Sequence, residues 1–138
     1  MSSPGLSPVQ AQPVEASLYK LLLYKEGGHF DWHQDTEKRA RMFGTLSVQL
    51  PSRFTGGAYR VRQAGQTKFF RLEPYMSTLS NEPSDIKFVA HYADCEHKVD
   101  RVESGHRLVL VYALCRGPVR ALPPLQRTIK HAWRLCSI

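Results

Sequence analysis

Three side chains that could bind a metal stand out in the sequence: His33, Asp35 and His97. Residues two apart in a β-strand point to the same side, so His33 and Asp35 would present an imidazole and a carboxylate side by side. A second imidazole, from His97 on a distant strand, would complete a facial set of three ligands. Such a set suits ferrous iron and leaves other positions on the metal open for substrates.

Arg107 follows His97 by ten residues and lies in the most apolar run of the chain, which continues through residues 108–114. A guanidinium stays protonated at working pH, so a buried one needs an anionic partner. Its planar head can bind a carboxylate through two parallel hydrogen bonds. The sequence therefore predicts an anion-binding arginine near a metal, and a dicarboxylate could bind both.

Two other residues compete for the metal. His91 lies six residues before His97 within an apolar strand, and we interpret it as a pocket or core residue. Cys95 could form a zinc site with His33 and Asp35, although it has no second cysteine at Cys-x-x-Cys spacing. A zinc hydrolase that uses the three first-named ligands, and acts without oxygen, stays open as an alternative.

The composition of this 138-residue chain is that of a single globular domain. No apolar run approaches the length needed to cross a membrane, so we expect no membrane partner. Three cysteines and no secretory signal favour a reducing compartment, and we expect cytoplasmic or nuclear localisation. The net charge of +7 is concentrated in residues 116–138, which hold five basic and no acidic side chains. The rest is nearly balanced, so nucleic acid is not the expected partner.

Short apolar runs separated by glycine or proline predict about eight strands without βαβ alternation. The strands are expected at 18–26, 29–37, 43–50, 58–62, 67–72, 86–92, 97–102 and 106–114. This pattern predicts an all-β barrel or jelly roll over residues 17–115. Residues 1–16 are predicted to be a disordered lead-in, and residues 116–138 a basic tail that contains a short amphipathic helix.

The strand predicted at 43–50 alternates polar and apolar side chains. Its polar residues are Thr45, Ser47 and Gln49, and its apolar residues are Leu46, Val48 and Leu50. We expect the polar face to line an internal pocket and the apolar face to lie beneath a covering layer. Exposed leucines here and in 18–26 would form an apolar patch that invites dimerisation.

Residues 24–36, with the sequence YKEGGHFDWHQDT, resemble the iron-binding strand of the iron(II)- and 2-oxoglutarate-dependent dioxygenases, in the prolyl 4-hydroxylase-like branch. Residues 92–107 resemble the second half of that signature, and Gly56-Gly57 occupies the place of a glycine-containing turn. The resemblance covers about residues 18–115. It implies a double-stranded β-helix, a jelly-roll variant, with iron at one mouth.

The resemblance also implies roles for individual residues. Those that match the iron ligands, and hence the catalytic centre, are His33, Asp35 and His97. Arg107 matches the basic residue that pairs with the distal carboxylate of 2-oxoglutarate. The other residues implied to contact or line the cosubstrate pocket are Tyr24, Thr45 and Gln49.

The implied activity is that of an oxidoreductase using Fe(II), O2 and 2-oxoglutarate to hydroxylate a carbon of an unidentified substrate, releasing succinate and CO2. Ascorbate is a further candidate cofactor. The substrate could be a peptidyl proline, another protein side chain or a small molecule. Nucleic-acid demethylases of the superfamily usually carry a second arginine six residues after the first, where this chain has Ala113. The alternative is a non-catalytic jelly-roll binding module that retains the metal triad.

Overall fold

The structure is a computed structural model that describes residues 13–117. All regular elements in this part of the chain are β-strands, and every pairing is antiparallel. The strands are β1 (Val14–Tyr24), β2 (Phe30–Gln34), β3 (Met42–Gln49), β4 (Phe54–Gly56), β5 (Tyr59–Gln63), β6 (Gln66–Phe70), β7 (Lys87–Tyr92), β8 (Glu96–Val99), β9 (Val102–Gly105) and β10 (Arg107–Arg116). Between residues 13 and 117 there is no helix that could span a membrane.

The strands form two four-stranded sheets and one small pair. Sheet I has the order β1-β10-β3-β7, sheet II has the order β2-β8-β5-β6, and β4 pairs with β9. This confirms the all-β prediction and is consistent with a jelly roll. The described residues contain ten strands rather than eight, because the prediction missed the three-residue β4 and assigned only Val102 of β9 to a strand.

The first strand begins earlier than predicted. Residues 14–16, assigned from sequence to the lead-in, already pair with β10 between Leu114 and Arg116. The remainder of the predicted lead-in, residues 1–12, lies outside the described residues. The predicted amphipathic helix lies outside them too, since the structure describes nothing after Gly117.

The second strand is shorter than predicted, which changes how Asp35 is held. β2 ends at Gln34, and its pairing with β8 is irregular between Phe30 and His33. Asp35 therefore lies just beyond the strand instead of inside a continuous strand over 29–37. The expectation that His33 and Asp35 lie in one strand was wrong, because Asp35 follows the strand. Their side chains nevertheless come together.

Sheet I has two chemically different faces. Thr45, Ser47 and Gln49 are all buried on its inner face, as expected from the alternation. Its outer face is apolar. Leu46, Ala90 and Leu114 form a buried cluster on this face, whereas Leu21 and Leu23 of β1 are 61% and 56% exposed.

A core between the sheets occupies one side of the interior. Its buried members are Tyr59, Val61, Leu72, Val89, Cys95 and Val99, with Tyr24 and Phe70 packed against them. The remainder of the interior, between β1, β10 and β3 on one side and β2 and β8 on the other, is a cavity open to solvent. The inner face of sheet I therefore forms a wall of this cavity.

Candidate metal centre and anion pocket

The three predicted metal ligands lie together at one end of the cavity. His33 of β2 is directly opposite His97 of β8, and their rings are 4.0 Å apart between centroids. Asp35 follows β2 at the same place. One ligand atom from each of the three residues lies within 4.8 Å of the others, a separation that a single metal ion can bridge. We call this group the metal trio.

Hydrogen bonds fix the orientation of two members of the metal trio. His33 Nδ1 donates to the Asp31 carbonyl at 2.7 Å, so Nε2 is the ring nitrogen that can bind a metal. Thr45 Oγ1 donates to Asp35 Oδ2 at 2.5 Å, and Asp35 Oδ1 lies 3.7 Å from His97 Nε2. The sequence predicted Thr45 in the pocket wall, where it does lie, but its hydroxyl is engaged by Asp35.

The environment of His97 favours the neutral form that a metal requires. Burial, followed by the neighbouring His91, lowers the pKa of His97 to about 4, and the carboxylate of Asp35 only partly opposes this shift. A neutral imidazole has a lone pair to donate, so the ligand needs no deprotonation near neutral pH.

His91, the competing histidine, is not available to a metal in this arrangement. Its Nδ1 donates to the Tyr92 carbonyl at 3.0 Å, and its Nε2 accepts from the Tyr59 hydroxyl at 2.9 Å. Burial lowers the pKa of His91 as well. With both ring nitrogens engaged, His91 is a core residue that supports His97, whose ring lies 4.5 Å away.

Cys95 does not join the metal trio. It is fully buried in the core between the sheets, and the group of three ligands that comes together in residues 13–117 is His33, Asp35 and His97. The zinc site that would use Cys95 is therefore excluded by geometry. Two imidazoles and one carboxylate match the facial set of non-haem iron(II) sites.

Arg107 lies on the inner face of sheet I, beside the same cavity, and is almost completely buried, with 1% of its surface exposed. Its Nε donates to Gln49 Oε1 at 3.1 Å, whereas its Nη1 is buried without a hydrogen-bond partner. No carboxylate of residues 13–117 forms an ion pair with it. Burial lowers the pKa of the guanidinium. An unpaired buried cation of this kind is unfavourable unless an anion binds it.

Neighbouring residues hold the guanidinium in position. Gln49 Nε2 donates to the Leu72 carbonyl, which turns Oε1 toward Arg107. The Tyr24 ring centroid lies 5.3 Å from Arg107 Cζ. Gly57 has a φ of +64°, and a Cβ there would lie 3.5 Å from Arg107 Cδ and 3.2 Å from Val102 Cγ2. Gln49 therefore lies behind the guanidinium, while Tyr24, as expected, lines the cavity beside it.

The cavity joins the metal trio to Arg107. It contains about 480 Å³ of empty space, including its open mouth. The lining residues are Tyr19, Lys20, Leu22, Tyr24, Phe30, His33, Asp35, Thr45, Ser47, Tyr59, His97, Val99, Arg107, Val109 and Val111. A ligand in this space can contact the metal trio at one end and the guanidinium at the other.

Sequence reasoning missed Tyr59 as a cavity residue. Its ring stacks on His97 with a centroid separation of 5.7 Å and an interplanar angle of 8°. Burial raises the pKa of its hydroxyl, which therefore stays protonated and donates to His91. The inward positions of β5 are Tyr59 and Val61, so the period-two alternation there was a usable signal.

A family model and a solved structure both match this chain. The family model of the 2OG-Fe(II) oxygenase superfamily matches residues 19–114. The chain belongs to this superfamily. A solved structure described as an oxidoreductase of the 2OG-Fe(II) oxygenase family, from Burkholderia pseudomallei, is similar with a TM-score of 0.55 and 19% identity. The match covers 70% of this chain and 41% of that one, so the chain spans less than half of that protein. No curated protein matches.

The residues of this 2OG-Fe(II) oxygenase domain fit the two groups that the superfamily's name specifies. The metal trio supplies three ligands of the types that iron(II) accepts, two of them oriented by hydrogen bonds. The unpaired Nη1 of Arg107 supplies a buried donor for a carboxylate. Both features lie on one cavity, as a dicarboxylate cosubstrate that also contacts the metal requires.

Proposed function

We propose that the chain is an iron(II)- and 2-oxoglutarate-dependent hydroxylase of the prolyl 4-hydroxylase-like type, with a double-stranded β-helix core. The observation that carries this proposal is the buried, unpaired guanidinium of Arg107 on the cavity that contains the metal trio. A metal hydrolase that acts through the three ligands alone has no need of such a cation. A dicarboxylate bound to the metal at one end gives it a partner at the other.

Each part of the cavity has a role in the proposed reaction. The metal trio would hold iron(II), and Arg107 would bind the far carboxylate of 2-oxoglutarate through charge-assisted hydrogen bonds. When bound, the iron and 2-oxoglutarate supply the oxygen activation that oxidises a carbon of the prime substrate, with succinate and CO2 as co-products. Leu22, Val99 and Val109 line the walls and exclude water from the bound cosubstrate.

The experiment is a turnover assay that separates the metals. Purified chain is incubated with 2-oxoglutarate and O2 after loading with iron(II) or with zinc(II), and succinate is measured by mass spectrometry with and without ascorbate. We expect slow succinate formation with iron(II) even without a prime substrate, and none with zinc(II), without O2 or in Asp35→Ala. His29→Ala, which removes an exposed histidine four residues before His33, is the matched control and should keep the activity.

Two outcomes would contradict the proposal. A folded chain that binds neither iron(II) nor 2-oxoglutarate would be a non-catalytic jelly-roll module, a function that the exposed leucines of β1 would suit. Hydrolysis of an ester or amide by the zinc-loaded chain without O2 would instead indicate a metal hydrolase.

A further inference from the structure

A second concave site, which we call the basic groove, lies beside the metal trio. Its lining residues are Glu15, Ser17, Arg39, Ala40, Arg41, Cys115 and Arg116. Arg39 and Arg41 come from the loop that follows Asp35, and Arg116 is the last residue of β10. The basic groove does not share a lining residue with the cavity between Asp35 and Arg107.

Strand register makes the basic groove a continuation of the cavity wall. Ser17 pairs with Ala113, which pairs with Thr45, the residue that donates to Asp35. Two residues further along the strands, Glu15 pairs with Cys115. Arg116, which follows Leu114 by two residues, belongs to the outer face of sheet I, where its guanidinium lies near the Phe43 ring. Because residues two apart share a face, Glu15, Ser17 and Cys115 of the basic groove lie on the inner face, about 7 Å beyond the row of Thr45. A ligand in it can therefore extend toward the metal trio.

Within residues 13–117, one acidic side chain lines the basic groove beside its three arginines. Arg39, Arg41 and Arg116 are exposed, Glu15 is the one acidic residue that lines the basic groove, and none of the ion pairs within residues 13–117 involves these arginines. Residues 1–12 and 118–138 contain no aspartate or glutamate, so neither can supply an acidic side chain. The basic groove is therefore bordered by two arginines of one loop and by Arg116 at the end of β10, and guanidinium groups are suited to binding carboxylate or phosphate oxygens.

The backbone holds Arg41 in a conformation that arginine does not favour. Arg41 has a φ of 64°, in the left-handed region that glycine and asparagine occupy most readily. Its carbonyl accepts from the Arg116 backbone N–H at 3.0 Å, and the Arg39 carbonyl accepts from the Met42 N–H at 3.2 Å. The Arg116 guanidinium also lies 5.8 Å from the Phe43 ring centroid. These two backbone hydrogen bonds fix the turn that carries Arg39 and Arg41 at the end of β10.

We propose that the basic groove binds an anionic group, carboxylate or phosphate, of the prime substrate and so presents a neighbouring carbon of that substrate to the metal trio. This inference rests on the proposed function, because it assigns a substrate class to the same centre. Prime substrates are then acidic or phosphorylated molecules, and a basic or neutral substrate lacks the contact that positions it.

The first test measures anion binding without any metal. The probes are fluorescein-labelled hexaglutamate and a labelled phosphoserine hexapeptide, with labelled hexaserine as the neutral control, followed by fluorescence anisotropy. The test variant is Arg39→Gln/Arg41→Gln/Arg116→Gln. The matched control is Arg53→Gln/Arg71→Gln/Arg101→Gln, which removes the same charge from exposed arginines elsewhere. We expect the test variant to bind at least one probe about tenfold or more weakly, and the control to change less than about threefold.

The two probes separate the sources of the anion. Preference for hexaglutamate assigns carboxylates, and preference for phosphoserine assigns phosphate. Equal losses in the test and control variants would mean attraction by overall charge only and would overturn the proposal, as would the absence of binding. Arg41→Gly is a further variant that relieves the strained φ. It should weaken probe binding while the melting temperature stays equal or rises, a combination that a purely structural role of Arg41 would not produce.

The second test asks whether the bound anion lies near the metal. The chain is loaded with manganese(II), its binding is checked by electron paramagnetic resonance, and broadening of the probe's NMR lines by the paramagnetic ion is recorded. We expect broadening in the parent chain and none in Asp35→Ala. Binding without broadening, with manganese bound, would overturn the substrate assignment. If manganese does not bind, the proposed function fails, and the metal-free measurement alone still decides whether the basic groove binds anions.

Discussion

The two ends of the cavity differ in how far their polar groups are paired within the protein. At the metal end, two of the three ligands are already paired within the protein: the Asp31 carbonyl accepts from His33, and Thr45 donates to Asp35. The third ligand, His97, has a buried Nδ1 without a hydrogen-bond partner among the described residues. At the other end, Arg107 is buried with one nitrogen unpaired, and no carboxylate of residues 13–117 forms an ion pair with it. Two metal ligands are therefore oriented before the metal arrives, whereas the charge of Arg107 stays unpaired until an anion binds. Ligand binding should accordingly stabilise the arginine end most.

The largest effect should come from removing the one anionic ligand at the metal end. Mutating a residue that only hydrogen-bonds to a metal ligand typically lowers metal affinity by roughly 10- to 100-fold. Asp35→Ala removes a ligand itself, so iron(II) affinity should fall by more than that. The measurement is anaerobic iron(II) titration followed by calorimetry, with His29→Ala as the control. If Asp35→Ala binds iron(II) as tightly as the parent chain, then Asp35 is not a metal ligand and the assignment of the metal trio is wrong.

Removing the guanidinium at the arginine end should weaken the binding of 2-oxoglutarate but increase the stability of the ligand-free chain. Arg107→Met should weaken 2-oxoglutarate binding by roughly 100- to 1,000-fold, because two charge-assisted hydrogen bonds are lost. In the ligand-free chain the same change removes an unpaired buried cation, so the free energy of unfolding should rise by about 1 kcal/mol. Chemical denaturation and calorimetry measure the two quantities. Loss of stability in Arg107→Met would contradict the view that this end is incomplete.

A smaller effect should follow from loosening the metal end without removing a ligand. Thr45→Val keeps the side-chain shape but deletes the hydrogen bond to Asp35, and iron(II) affinity should fall roughly 10- to 100-fold. Binding of 2-oxoglutarate to the iron-saturated variant should change little. Thr55→Val is the matched control, since Thr55 is exposed and pairs with Ser104 away from the cavity. Equal iron(II) affinity in Thr45→Val and the parent chain would show that Asp35 binds iron without the hydrogen bond from Thr45.

The smallest effect should come from Gln49, which contacts the guanidinium from behind. Gln49→Met deletes the acceptor for Arg107 Nε, and we expect about a tenfold loss of 2-oxoglutarate affinity with iron(II) affinity unchanged. The loss should be smaller than that in Arg107→Met when both are measured by the same titration. A larger loss would mean that Gln49 contacts the cosubstrate directly.

The sequence was sufficient to predict the candidate metal ligands and the buried arginine, because few kinds of site use these residue types at this spacing. A His-x-Asp pair, a distant histidine and an arginine in an apolar run narrow the choice to one kind of site, and the structure brings His33, Asp35 and His97 together. Strict alternation in 43–50 also predicted the polar inner face of β3, because side chains of a strand alternate between its two faces.

The remaining features depend on contacts between distant segments, and local patterns do not encode these. The hydrogen bond from Thr45 to Asp35 and the stacking of Tyr59 on His97 join separate strands. The end of β2 before Asp35 and the three-residue β4 are set by pairing with β8 and β9. The basic groove likewise forms only when the loop after Asp35 meets the end of β10.

The most direct test of the central claim is anaerobic titration of the iron(II)-loaded chain with 2-oxoglutarate, followed by the weak visible absorption of the chelated keto acid. The account predicts a saturable band in the parent chain. It predicts no band in His97→Ala, which should not hold iron. In Arg107→Met, which keeps its iron, the band should appear only at roughly 100-fold higher 2-oxoglutarate or not at all. A band with the same midpoint in the parent and in Arg107→Met, or a folded, iron-loaded parent without a band, would contradict the account.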